Sequence, residues 1–170
     1  VTDNIHHWFE LRATELQQLD DCDVILMRKD PPFNMEYIYT TYLLERVQDT
    51  GTLVINDPRS LRDTNEKLAT VWFPDITPTT LVTQNIGHIK DFLNDQHDIV
   101  LKPLDGMGGQ SIFRLRLGEQ NVNVTIELMT QYGTVRIMAQ RYIPEIIRGD
   151  KRILLIDGKP VDWCLARIPK

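Results

Sequence analysis

One lysine interrupts an apolar strand pattern directly before a glycine-rich segment. Residues 98–102 read Asp-Ile-Val-Leu-Lys, and residues 103–111 contain three glycines. A charged side chain on a buried strand is costly unless it has a partner, and a phosphate is one suitable partner for Lys102. Glycines leave backbone N–H groups open to an anion. The loop alone slightly favours an ordinary wide hairpin, but together with Lys102 it indicates a phosphate-binding site.

The spacing of these glycines excludes two common phosphate-binding loops. It does not match the dinucleotide fingerprint, and it lacks the Gly-Lys-Ser/Thr of the P-loop. Residues 112–117 then alternate apolar with polar side chains, which is the period of a strand. The loop is therefore expected to join two strands, so that no helix dipole can bind the phosphate. If the loop binds phosphate, it acts as a flexible flap that is helped by Lys102.

Three charges also follow the apolar segment Val24–Met27, which continues into Arg28, Lys29, Asp30 and two prolines. Four apolar residues in a row are typical of a strand buried on both faces, and the prolines stop it because they have no N–H to donate. In open α/β sheets, ligands bind beyond the carboxyl ends of the strands. Arg28 is thus a candidate ligand-binding residue, and a solvated surface turn is the alternative.

A βαβ unit is predicted around Arg28. Asn34 is expected to cap a helix that runs to about Gln48, and residues 52–56 form a second strand. This order and length are typical of a crossover between two parallel strands. The unit strengthens the prediction of a ligand crevice after Met27.

The remainder of the chain is predicted to be rich in strands. A helix over about residues 60–70 carries Lys67, and a proline-punctuated boundary between lobes follows at 73–78. Arg152 and Arg167 lie on an otherwise apolar hairpin. The predicted elements beyond the boundary are strands at 80–83, 98–102, 112–117 and 135–140, a helix near 87–94, and a hairpin at 150–168 that turns at Asp157-Gly158.

Composition limits the classes of function. The 170 residues are 42% hydrophobic, which is enough for one good core or two small ones. A net charge of -5 argues against a general nucleic-acid binder. No apolar run approaches the length of a membrane span, and the first residues do not resemble a secretory signal. Cys22 and Cys164 match no metal or redox spacing and are interpreted as reduced thiols of a cytosolic protein.

Five segments, in order along the chain, closely resemble the bacterial glutathione synthetases of the ATP-grasp superfamily. The resemblance extends from about Trp8 onward. It implies an α/β fold, α+β in its nucleotide lobe, that forms part of an ATP-grasp fold. The segments are DVILMRKDPPF, SLRDTNEKL, LKPLDGMGGQSIFR, MAQRYIP and DKRILLIDGKPV with CLARIP.

The resemblance implies an ATP-dependent ligase that joins γ-glutamylcysteine to glycine through an acyl phosphate and releases ADP and phosphate. It assigns the ATP phosphates to Lys67 and Lys102, and the peptide substrate to Arg28. Arg152 and Arg167 would face the substrate and the developing acyl phosphate, which makes them the expected catalytic residues. The other residues expected at the nucleotide are the flap Asp105, Gly106, Met107, Gly108, Gly109, Gln110 and Ser111, the interlobe hinge Gln140, Arg141, Tyr142 and Ile143, and Asp150.

The resemblance also implies the order of the domains in this chain and the position of the family's magnesium ligands. Residues 1–64 would be the remainder of an N-terminal α/β domain, 65–141 the small ATP-grasp lobe with its flap, and 142–170 the start of the C-terminal lobe. No metal ligand is expected in this chain, because the family's magnesium ligands would follow Lys170. The chain alone is therefore expected to be inactive, and the family suggests a cytoplasmic homotetramer that binds neither nucleic acid nor membrane.

Two other functions are open from the residues alone. Another ATP-grasp carboxylate–amine ligase, such as a peptide or D-alanyl ligase, would share the nucleotide half of the pattern. A non-catalytic nucleotide-binding module would also be compatible with the missing metal ligands. The segments MRKDPPF and KRILLIDG favour the glutathione-forming ligase over the first of these alternatives.

Overall fold

A computed structural model describes residues 3–4, 7–11 and 13–168. The chain divides into two compact units, Val1–Thr64 and Asn65–Lys170. The strands are β1 (Val24–Leu26), β2 (Leu53–Ile55), β3 (Thr80–Thr83), β4 (Asp98–Pro103), β5 (Phe113–Arg116), β6 (Ile137–Arg141), β7 (Asp150–Ile156) and β8 (Lys159–Arg167). The α-helices are α1 (Met35–Gln48), α2 (Pro58–Asp63), α3 (Ile86–Gln96) and α4 (Val122–Met129), and short 3₁₀ turns occupy Leu19–Asp21, Leu68–Trp72 and Pro144–Arg148.

The first unit contains the predicted βαβ crossover. Strands β1 and β2 pair in parallel, and the side chain of Asn34 accepts a hydrogen bond from the Tyr37 N–H, which caps α1 as expected. The expectation of a strand buried on both faces is wrong for the described residues, because Val24 and Leu26 are 49% and 61% exposed. Helix α1 contacts the two-stranded sheet through β2, and Val54 is buried there.

The second unit is built on an antiparallel sheet in the order β3-β6-β4-β5. Helices α3 and α4 contribute apolar side chains to its core, and α3 begins at the cap Asn85. Ile89, Ile99 and Ile126 are fully buried in that core. The predicted strands at 80–83, 98–102, 112–117 and 135–140 are confirmed with shifted ends, and the loop after β4 does join two strands.

Strands β7 and β8 form a separate antiparallel hairpin within the second unit. Asp157 and Gly158 form its two-residue turn and both have positive φ, at 49° and 71°, as the predicted Asp-Gly turn requires. Its strands carry mostly exposed side chains among the described residues. The terminal Pro169 and Lys170, which fall within the range expected to start the C-terminal lobe, lie outside the described residues.

The prediction of a single helix over residues 60–70 is wrong, because the structure has a short α-helix and a separate 3₁₀ turn in this region. Helix α2 starts earlier, at Pro58 behind the cap Asp57, and ends at Asp63. The side-chain oxygen of Asn65 then accepts hydrogen bonds from the N–H groups of Lys67 and Leu68, at 3.0 and 2.9 Å. This local turn competes with helical hydrogen bonding, as asparagine side chains commonly do. Lys67 therefore lies between α2 and the next 3₁₀ turn instead of within a helix.

In the described part of the chain, no helix is both long and apolar enough to cross a membrane.

Candidate nucleotide-binding site

The turn at Asn65 brings Lys67 to the base of the glycine-rich flap. The Asn65 amide nitrogen donates to the carbonyl oxygen of Leu104 at 3.0 Å, and the Lys67 ammonium donates to the carbonyl oxygen of Gly106. Two neighbouring side chains thus hold two carbonyl groups of the same loop. The loop's first residues are therefore tied to the segment that carries Lys67.

Lys102 lies close to Lys67. It is half-buried on β4, and its ammonium donates to the Gln140 side-chain oxygen at 2.6 Å. Burial lowers the pKa of Lys102 below its usual range, and the nearby charge of Lys67 lowers it further. Within the described residues, neither lysine forms an ion pair with a carboxylate. Two close ammonium groups without a carboxylate are suited to a polyanion such as a triphosphate.

The flap itself is exposed and unusual in backbone conformation. Residues 107–112 are exposed, and Gly108 and Gly109 have φ of 68° and 77°, where a side chain would be strained. Ser111 adopts a positive φ of 56° without being glycine. The Gln110 N–H donates to the carbonyl oxygen of Met107 at 3.3 Å, and the backbone N–H groups of the exposed glycines can meet an anion.

We expect the flap segment 105–110 to be the most protease-sensitive internal loop of the ligand-free protein. ATP with magnesium should protect it, because glycine-rich backbone stays mobile until phosphates compensate the entropy of ordering it. Mapping cleavage sites by mass spectrometry, with and without nucleotide, measures this. Equal cutting in both states would favour an ordinary hairpin.

The hinge residues after β6 are held by backbone hydrogen bonds and by one arginine. The N–H groups of Arg141 and Tyr142 donate to the carbonyl oxygens of Thr79 and Asp98, both at 2.9 Å. Arg114 forms a two-pronged ion pair with Asp98 and lies 3.5 Å from the centre of the Tyr142 ring. The backbone N–H groups of Arg141 and Tyr142 are thus already engaged within the protein.

The β7–β8 hairpin carries a second group of charged side chains, Asp150, Arg152 and Arg167. Arg167 makes a two-pronged hydrogen bond to Asp150 across the β7–β8 pairing, and this bond holds the pKa of Asp150 below its usual value. Arg152, two residues along β7, also lowers the Asp150 pKa through its charge. Asp150, Arg152 and Arg167 thus share one face of the hairpin. The described structure shows no hydrogen bond or ion pair between this group and the two lysines.

Arg28 is exposed in the first unit, two residues beyond the end of β1. The preceding residue is fixed to the sheet, because the Met27 N–H donates to the carbonyl oxygen of Ile55 at 2.9 Å. Arg28 therefore lies at the carboxyl end of a parallel strand, as predicted. Its role in binding a substrate stays a prediction.

Three contributors to the site were not predicted from the sequence. Asn65 shapes the turn at Lys67, the Gln140 side chain contacts Lys102, and Arg114 supports the hinge. The Asn-x-Lys spacing could have indicated the first, since asparagine often bonds backbone N–H groups two and three residues ahead. The other two are contacts between strands that are distant in sequence, and no local pattern marks them.

The described residues contain no group of three or more His, Cys, Asp or Glu side chains that could hold a metal ion. The ammonium groups of Lys67 and Lys102 and the backbone N–H groups of the flap are of the kinds that suit phosphates.

The antiparallel sheet with its glycine-rich flap and two lysines is part of an ATP-grasp fold, because a model of an ATP-grasp domain matches residues 66–170, and solved structures have a similar fold. The chain is similar to D-cycloserine synthetase DcsG, with a TM-score of 0.62 at 15% identity over 91% of this chain and 62% of that one. It is also similar to D-alanyl-alanine synthetase A from Vibrio cholerae, with a TM-score of 0.56 at 12% identity over 74% of this chain and 41% of that one. At such identities the likeness shows the fold alone.

The chain belongs to the prokaryotic glutathione synthetase family. The family's N-terminal domain model matches residues 1–62, and its ATP-grasp domain model matches residues 66–170. Over the whole chain it is 56% identical to a glutathione synthetase of Escherichia coli O6:H1 and 55% identical to one of Shewanella oneidensis. The chain spans 54% of the length of each of these relatives.

Proposed function

We propose that the protein is an ATP-dependent ligase that joins γ-glutamylcysteine to glycine. The observation that carries this proposal is the convergence of Lys67 and Lys102 at the base of the flap, in a chain of the glutathione synthetase family. A triphosphate would supply the counter-charge that neither lysine has within the described residues. The flap residues 105–111 would close over it, and the hinge 140–143 would contact the adenine.

The proposed reaction has two steps. The carboxylate of the dipeptide attacks the γ-phosphorus of ATP, ADP leaves, and an acyl phosphate forms. The glycine amine then attacks the acyl carbon, and phosphate leaves. Arg152 and Arg167 are proposed to stabilise the negative charge that develops on the oxygens, because a guanidinium placed near an oxyanion acts electrostatically. Arg167 is already oriented by Asp150, which we propose as a further contributor at the nucleotide.

Several features of the whole protein belong to this proposal. Magnesium would accompany ATP and neutralise phosphate charge, with ligands that we expect beyond Lys170. Family membership supports a cytoplasmic homotetramer with ATP, γ-glutamylcysteine and glycine as its ligands. We also propose that residues 1–64 belong to the N-terminal domain, 65–141 to the small lobe and 142–170 to the start of the second lobe.

Phosphate release by the full-length protein tests the proposal. Rapid ATP-dependent release is expected with γ-glutamylcysteine plus glycine, and only background release with D-alanine or with buffer. Preference for D-alanine would instead indicate a D-alanyl ligase. Nucleotide binding without release in any mixture would indicate a non-catalytic module.

Replacing Arg28 by alanine in the full-length protein is expected to raise the KM for γ-glutamylcysteine and leave the KM for ATP nearly unchanged. A guanidinium at the end of β1 can bind a substrate carboxylate, and its loss removes binding energy from that substrate alone. Steady-state kinetics with each substrate varied in turn measures the split. The neighbouring exposed Lys29→Ala variant is the control, and normal dipeptide kinetics in Arg28→Ala would restore the solvated-turn interpretation.

A further inference from the structure

We propose that Thr80 is a positioning residue for the nucleotide site, because its hydroxyl fixes the direction of the Gln140 amide that holds Lys102. The inference rests on the proposed function, in which Lys102 binds ATP phosphates. Thr80 would touch no ligand itself. It would act through two hydrogen bonds that lead from β3 to the Lys102 ammonium.

The direction of these hydrogen bonds follows from the Thr80 hydroxyl. Its single hydrogen points to the carbonyl oxygen of Pro78, at 2.7 Å. The Thr80 oxygen can therefore only accept a bond from Gln140, whose amide nitrogen lies 2.9 Å away. An amide has its nitrogen and oxygen on opposite prongs, so the Gln140 oxygen must face the other way. There it accepts from the Lys102 ammonium at 2.6 Å.

The reversed amide would be unfavourable at Lys102. Gln140 is only 6% exposed, so water cannot readily replace a lost partner. With the amide reversed, its NH₂ group would face the ammonium, and two donors would meet without an acceptor. Lys102 is also repelled by the nearby charge of Lys67. The Gln140 oxygen thus holds the ammonium in place against that repulsion.

The three residues lie on adjacent strands of one rigid sheet. Thr80 on β3 is directly opposite Gln140 on β6, and Gln140 is directly opposite Val100 on the other side, two residues before Lys102 on β4. The three side chains therefore lie on one face of the sheet, and the second hydrogen bond runs diagonally from Gln140 to Lys102. Because the strands fix its end points, we expect it to be present before any ligand binds.

Calorimetric titration of the full-length protein with ATP and magnesium tests the proposal. Thr80→Val keeps the shape but loses the hydroxyl, and we expect ATP affinity to fall about twofold to tenfold, the range for one neutral hydrogen bond. Thr80→Ser keeps the hydroxyl and should bind ATP like the wild type. Thr79→Val removes the hydroxyl of an exposed neighbour and is the matched control. Equal affinity in Thr80→Val and Thr80→Ser would overturn the proposal.

Nuclear magnetic resonance of the Lys102 side chain gives a readout without nucleotide. We expect the titration midpoint of its terminal carbon to be lower in Thr80→Val than in the wild type, because a Gln140 amide that Thr80 no longer holds keeps its oxygen on the ammonium less firmly, which disfavours the charged form. Thr80→Ser should titrate like the wild type. A midpoint unmoved in Thr80→Val would contradict the positioning role.

The two proposals fail in distinguishable ways. If Lys102→Ala binds ATP normally, the role of Lys102 at the phosphates is wrong, and the role of Thr80 at the nucleotide falls with it. If Lys102→Ala weakens binding but Thr80→Val does not, only the inference about Thr80 is wrong.

Discussion

Replacing Lys102 by alanine in the full-length protein is expected to weaken ATP binding about tenfold to a hundredfold. A charge-assisted contact of this kind is worth about 1.5–3 kcal/mol, which corresponds to that change in affinity. The effect should be large here because the ammonium is half-buried and forms no ion pair within the described residues. A calorimetric titration with ATP and magnesium measures the change.

Lys90→Ala is the matched control for the Lys102 experiment. Lys90 is a half-buried lysine on α3 in the same unit, so its loss changes the net charge equally. We expect this variant to bind ATP like the wild type. Unchanged affinity in Lys102→Ala, or an equal loss in both variants, would contradict a specific role for Lys102.

Replacing Gly149 by alanine is expected to destabilise the hairpin that carries Arg152 and Arg167. Gly149 has φ 103° and ψ 179°, a conformation that is almost restricted to glycine and strains other residues by about 1–3 kcal/mol. A methyl group there would also overlap the carbonyl oxygen of Arg167 and lie 3.2 Å from its carbonyl carbon. Overpacking of that kind adds about 1–3 kcal/mol. The pairing of Asp150 with Arg167 must then shift.

Gly158→Ala in the same hairpin is the control for Gly149→Ala. Gly158 also has a positive φ of 71°, but a methyl group there would meet nothing within 4 Å. Denaturant unfolding of the full-length variants should show a clearly larger loss of stability in Gly149→Ala. We also expect a lower kcat in that variant, because Arg167 moves. Equal unfolding free energies in the two variants would show that the contact with Arg167 is relieved without displacing the strand.

Local patterns were sufficient to predict most of the elements. The cap Asn34, the Asp157-Gly158 turn and the alternation of residues 112–117 each depend on neighbouring residues, and each is confirmed. The helix over 60–70 was predicted wrongly for a local reason as well. The N–H groups of Lys67 and Leu68 donate to the Asn65 side-chain oxygen, so they are not available to continue α2. The prediction did not allow for this competition.

The contacts that position the site were less accessible to prediction. Lys102 is marked by a local signal, because its charge interrupts an apolar strand. Gln140, which accepts a hydrogen bond from Lys102, is 38 residues away from it in the sequence. Thr80, which accepts a hydrogen bond from Gln140, is 60 residues away from Gln140. Only the pairing order β3-β6-β4 brings them together, and no periodicity in the sequence specifies that order.

The fate of one oxygen atom shows whether the ligase reaction passes through an acyl phosphate. Full-length protein would be incubated with ATP, magnesium, glycine and γ-glutamylcysteine whose reacting carboxylate carries ¹⁸O at both oxygens. In the proposed reaction one of these oxygens attacks the γ-phosphorus and leaves with the phosphate when glycine displaces it, and the other stays in the new amide. We therefore predict glutathione together with phosphate that contains one ¹⁸O per molecule. Glutathione formed with unlabelled phosphate would contradict the acyl phosphate, and the absence of glutathione would contradict the proposed ligase.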